Sequence, residues 1–203
     1  MFKYSAIIKK MMDILNPFVN NSEKKLLLIG LFCFMLSVCI TNYNDILMLG
    51  ALKIVNAKPK LWYISLYNLS VTVLSNALLL YLFAILKFSK TRFVDVLNTV
   101  LIAHIAMFLL LLVSVTPIVA DFLKSMEFLV LEHIDNPTAL PKDKVLLMVV
   151  FGAFSIGCLV LFFTLLVKGM KIAINSKKQS DTIVIVLLVL IWNTALQFLN
   201  IYQ

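Results

Sequence analysis

Five apolar runs, each about as long as a bilayer-crossing helix, constrain the fold of this chain more than any other feature. They fall at about 26–43, 61–86, 94–115, 145–167 and 181–202, and about 20 apolar residues let an α-helix cross a hydrocarbon core about 30 Å thick. Hydrophobic residues make up 62% of the chain, charged residues 14%, and the mean hydropathy is +1.02. A water-soluble fold would have too little polar surface to cover that much apolar material. The expected fold class is all-α: a polytopic integral membrane bundle of five transmembrane helices, one membrane domain over residues 1–203 with no separate soluble domain.

The segments between the runs carry their own expectations. In residues 1–17, Tyr4, Ile7, Ile8, Met11, Met12, Ile14 and Leu15 gather on one side of a helical wheel and Lys3, Ser5, Lys9, Lys10 and Asp13 on the other. That is the pattern of an amphipathic helix lying in the membrane interface. Asn16-Pro17 should end it, and Asn20-Asn21-Ser22-Glu23 supplies a turn and a helix start. Between the first two runs, Met48-Leu49-Gly50-Ala51-Leu52 predicts a short helix on the membrane surface. Trp62 and Tyr63 then make an interfacial anchor. Residues 121–144 form the longest soluble excursion, and Asn136 to Pro141 breaks any helix there.

An odd number of spans puts the two termini on opposite sides, and the lysines choose which. The N-terminal segment and the loops after runs two and four hold 12 of the 18 Lys/Arg residues, and the opposite side holds six. The positive-inside rule therefore predicts a cytoplasmic N-terminus and a C-terminus on the outer side. A net charge of +8 and a pI near 9.4 then point to anionic lipid headgroups rather than nucleic acid as the partner of these lysines.

Polar residues inside the runs face other helices or water, because facing hydrocarbon is costly. Run two carries Asn68, Thr72, Ser75 and Asn76 on one helical stripe, and run five carries Asn193, Gln197 and Asn200 on another. Both interhelical hydrogen bonding and a water-filled path for a polar solute fit these stripes, and packing is the expectation. In run four, Ala153-xxx-Gly157 is a face that permits close helix approach, expected to serve packing within the chain, with homodimerisation as the other reading. His104 is expected to be neutral and hydrogen-bonded to a neighbouring span. Asp95 stands three residues before Asn98 and three after Arg92, the only arginine, and is expected to cap the third span or pair with that arginine.

Nothing in the chain resembles a catalytic set: there is no HExxH, G-x-S-x-G or glycine-rich phosphate loop. The expectation is therefore a protein that is not an enzyme and takes no cofactor or metal. Cys33, Cys39 and Cys158 each sit in an apolar run and read as small core residues. His133, near several acids, reads as part of a solvated charged face. Asn68-Leu69-Ser70 matches a glycosylation sequon but falls within a span.

Five tightly spaced spans after a short cytoplasmic N-region, with the basic loop Lys90-Thr91-Arg92 leading into Phe93-Val94-Asp95-Val96-Leu97-Asn98, resemble the Yip (Ypt-interacting protein) family of small membrane proteins. The resemblance covers about residues 26–200 as topology and 90–98 as a motif. It implies a non-enzymatic role in membrane organisation, or as an accessory subunit, through partner proteins. The loop residues Lys87, Lys90, Arg92, Asp95 and Asn98 are then the expected partner or lipid contact. The Lys/Asn/Ile-rich usage and short length suit a bacterial inner-membrane protein. The leading expectation is a non-catalytic membrane protein that packs against itself or a membrane partner; the alternative is a small transporter or channel for a polar solute or ion.

Overall fold

The computed structural model describes residues 16–51, 53–56, 61–134, 140–199 and Tyr202. The predicted interfacial helix over 1–17 therefore lies almost wholly outside the described residues. After it, α1 (Pro17–Asn20) is a single turn with Pro17 at its first position, where a missing N–H does no harm. Helix α2 (Glu23–Tyr43) starts at Ser22, whose hydroxyl accepts the Lys25 amide at 3.4 Å, as the Asn-Asn-Ser-Glu turn predicts. Helices α3 (Trp62–Lys87), α4 (Phe93–Ser114), α6 (Lys142–Ala173) and α7 (Gln179–Phe198) complete a set of five long enough and apolar enough to cross a membrane. The all-α bundle stands.

Helix α4 is the centre of the bundle, packed by α6, α2 and α3, while α7 closes against α3 and α6. Small residues on α4 allow this: Ala103 and Ala106 are buried, and Gly30 of α2 and Gly169 of α6 sit where a Cβ would fall 2.7 Å from Leu101 and 2.5 Å from Thr99. Phe34, Leu69, Leu80, Phe162, Leu166 and Met170 fill the space between the helices.

Two connections depart from the sequence reading. Instead of a surface helix, residues 46–56 form an antiparallel hairpin of β1 (Ile46–Leu49) and β2 (Lys53–Asn56), with Ile46 opposite Asn56 and Leu49 opposite Lys53. Gly50, at φ 73, turns the chain in a conformation a helix does not visit. The hairpin packs against the bundle: Met48 and Ala51 are 1% exposed, and β1 packs on α3 and α2. Pairing satisfies the backbone groups that face between the two strands, and side chains of α7 take further ones at the Leu49 carbonyl and the Ala51 N–H.

The second departure is in the polar excursion, whose first part is helix α5 (Pro117–Glu132). Its Asp121, Lys124 and Glu127 recur every third residue, while Ile118, Phe122, Met126 and Leu129 recur at helical spacing on the other side. The charge count hid the period. Most of the predicted breaker lies outside the described residues.

Helix α6 also differs from its predicted span of 145–167. Its 32 residues make it about 48 Å long, and the half before Cys158 stands almost free of the bundle: Leu146, Val149, Val150 and Ile156 are each about 60% exposed. The small-residue face does not serve packing within the chain, contrary to expectation. Ala153 and Gly157 are exposed, and a Cβ on Gly152 or Gly157 would meet nothing within 4 Å among the described residues. The cysteines divide as well; Cys158 is buried but Cys39 is exposed, so it is not a core residue.

Candidate functional site

Two groups of polar side chains tie α3 to α7, one at the α3 C-terminal end and one midway along the helices. At the end, Lys87 Nζ lies 2.9 Å from the Asp181 carboxylate, which is buried and also accepts the Ser176 hydroxyl. Midway, Asn193 Nδ2 donates to Asn76 Oδ1 at 2.9 Å and to the Val189 carbonyl at 2.8 Å. The two groups share one cause. Asn76 precedes Lys87 by 11 residues and Asn193 follows Asp181 by 12, so on antiparallel helices the ion pair at the end brings the two amides level about 17 Å away.

The amide pair also holds the hairpin. Asn193 Oδ1 accepts the Ala51 backbone N–H at 2.9 Å, and Gln197 Nε2 donates to the Leu49 carbonyl at 3.4 Å. Asn76 Nδ2 donates to the Thr72 carbonyl, and the Thr72 hydroxyl, which donates to the Asn68 carbonyl, lies 3.3 Å from the Tyr202 hydroxyl. Asn68, Thr72, Asn76 and Asn193 are all buried, so the two predicted stripes do meet. Of the two readings, the geometry matches packing: their carboxamides bond to one another and to the backbone of β1 and its turn. Asn200 lies outside the described residues.

At the other predicted contact, Arg92 forks onto both Asp95 oxygens, at 2.9 and 3.1 Å, and reaches Glu23 of α2. Asp95 thus pairs with Arg92, as expected, and the two carboxylates raise the guanidinium pKa above its ordinary value, Asp95 most. Asn98 Nδ2 donates to the Glu23 carbonyl at 3.3 Å, and its Oδ1 has no partner among the described residues. Glu23, Asp95 and Asn98 border a cavity of ≈ 240 Å³ with Phe18 and Gly169. Thr91 donates to the Ala173 carbonyl, so the loop between α3 and α4 is pinned to the C-terminal end of α6. Lys90 is exposed.

His104 corrects its expectation. It is fully buried, but its Nδ1 donates to the Val100 carbonyl of its own helix at 2.7 Å rather than to a neighbouring span, and Nε2 has no partner among the described residues. The imidazole instead stands edge-on to Phe162 of α6, with ring centroids 5.1 Å apart. His133 likewise bonds within its helix, to Leu129, and no group of three metal-ligating side chains occurs among the described residues.

Sequence reasoning missed Asp181, Glu23, Gly50 and Tyr202. Asp181 carried a signal, a lone acid at the head of an apolar run at nearly the same offset from Asn193 as Lys87 from Asn76. Glu23, Gly50 and Tyr202 act through a distant helix or loop and carried none. No protein-family model, curated protein or solved structure matches the chain.

Proposed function

We propose that this is a multi-pass integral membrane protein, with its N-terminus cytoplasmic, that acts without catalysis by packing a helix against a second membrane protein or a second copy of itself. The observation that carries this reading is the free half of α6. There Val149, Ala153, Ile156, Gly157 and Val160 share one face, and its glycine is open to space. Helices in lipid associate through such faces because small residues let backbones approach closely, and packing rather than water exclusion supplies the attraction. The resemblance to Yip proteins, and a bacterial inner-membrane setting with basic loops against anionic headgroups, fit the same role in membrane organisation or as an accessory subunit. Lys87, Lys90, Arg92, Asp95 and Asn98 are then at the cytoplasmic face, although Lys87, Arg92 and Asp95 are already engaged within the chain.

Gly157→Ile tests the proposal, since a Cβ there meets nothing within 4 Å among the described residues. In cells, crosslinking should capture a homodimer or a partner with the natural sequence and lose it with the variant, while the variant still purifies as a folded monomer. A natural chain that is monomeric in mild detergent and yields no crosslinked partner in cells would overturn it.

A further inference from the structure

A second cavity, of ≈ 430 Å³, lies between β2, the C-terminal end of α4, α5 and α6. Ser114, which lines it, is the last residue of α4, about 31 Å along that helix from Phe93, at the edge of a bilayer core about 30 Å thick. Ser155 of α6, also on its wall, lies 13 residues before Lys168, about 20 Å along α6. The cavity therefore runs from the membrane boundary about 10 Å inward. Ile54, Leu110 and Phe151 give its wall apolar surface.

Its mouth carries one cation and one anion, Lys124 and Glu127, one turn apart on α5. Both are exposed, and neither forms an ion pair among the described residues. The hydroxyls of Ser114 and Ser155 already donate to Leu110 and Phe151 of their own helices, each at 2.8 Å, so toward the cavity they offer acceptor lone pairs. One ammonium donor facing a carboxylate and two acceptors suits a ligand with its own phosphate, its own N–H-bearing cation and an apolar tail.

We infer that this cavity binds a phospholipid with a primary ammonium headgroup, such as an ethanolamine lipid, with its phosphate at Lys124, its ammonium at Glu127 and an acyl chain along Phe151. A choline headgroup has no N–H to donate to Glu127, and an anionic glycerol headgroup brings no cation to it. The site is independent of the packing face, because Phe151 and Ser155 are two residues out of phase with Ala153 and Gly157 and so point to the opposite side of α6.

The test is lipid retention by the full chain, reconstituted in nanodiscs of equal ethanolamine, glycerol and choline phospholipids, extracted in mild detergent and weighed by native mass spectrometry. The ethanolamine lipid should be retained about ten-fold over the choline lipid, the ratio expected from one charge-assisted hydrogen bond. Glu127→Lys, an exposed change that leaves the fold intact, should shift retention to the glycerol lipid. Ser155→Trp, which fills the cavity, should abolish it, while Gly157→Ile should leave it unchanged. Retention of the three lipids in equal amounts, a preference of the natural chain for the glycerol lipid, or retention indifferent to both Glu127→Lys and Ser155→Trp would each overturn the assignment.

Discussion

Asn193 of α7 gives one side-chain N–H to Asn76 of α3 and takes the Ala51 backbone N–H on its oxygen, both at 2.9 Å, so a single carboxamide joins two helices and a buried hairpin. Removing it strands an amide donor and an amide acceptor away from water. Asn193→Leu should lower the free energy of unfolding by about 1–3 kcal/mol, the usual penalty for unsatisfied buried partners. A cycle of Asn76→Ala and Asn193→Ala, read in denaturant titration, should show a coupling of about 0.6–1.7 kcal/mol. A cysteine at position 76, introduced as Asn76→Cys, should resist an aqueous thiol reagent in intact membranes. Rapid labelling would instead support a water path.

The glycines separate into two kinds, and substitution should reveal it. A Cβ at Gly169 would lie 2.5 and 2.6 Å from the Thr99 side chain and 2.8 Å from the Phe18 ring. Gly169→Ala should therefore destabilise the fold by about 1–3 kcal/mol through overpacking, and adding Thr99→Ala should recover part of the loss. Gly157→Ala should leave monomer stability unchanged. Equal effects at the two positions in thermal unfolding would contradict the packing described for α4 and α6.

Lys87 and Asp181 form an asymmetric pair, the lysine side chain 43% exposed and the carboxylate 3%. Taking away the lysine leaves a buried anion with only the Ser176 hydroxyl and the loop around it. Lys87→Met should thus lower the melting temperature more than Lys87→Met combined with Asp181→Asn, because breaking one side of a buried pair is worse than removing both. A double variant less stable than the single would show that Asp181 has another essential contact.

His104 should prove dispensable for folding. Its Nε2 is a buried nitrogen without a partner among the described residues, and its Nδ1 bond to Val100 stays within one turn of α4. In His104→Leu the lost edge contact with Phe162 is offset by removing an unsatisfied polar atom, so stability measured by denaturant titration should stay within about 1 kcal/mol of the natural chain. A loss above about 3 kcal/mol would mean that Nε2 is satisfied in the folded protein.

The five long helices were legible in the sequence because apolar runs of that length can satisfy their backbone only within themselves in lipid. The Arg92–Asp95 pair and the stripe formed by Asn68, Thr72 and Asn76 were legible too, since helical periodicity alone sets them. The hairpin was not. Ile46 to Leu49 is apolar enough for either structure, and what decided between them was Asn193, 142 residues away from Ala51, whose carboxamide receives the turn.

The tertiary structure also decided which small residues pack. Gly169 and Gly157 lie on the same helix and look alike in sequence, but α4 crosses α6 at the first and leaves the second open. Local composition could determine which segments become helices, because hydrogen bonding within a helix is a property of the segment. Only the relative placement of the helices determined that Lys87 meets Asp181, that the amides align behind them, and that half of α6 is left facing outward.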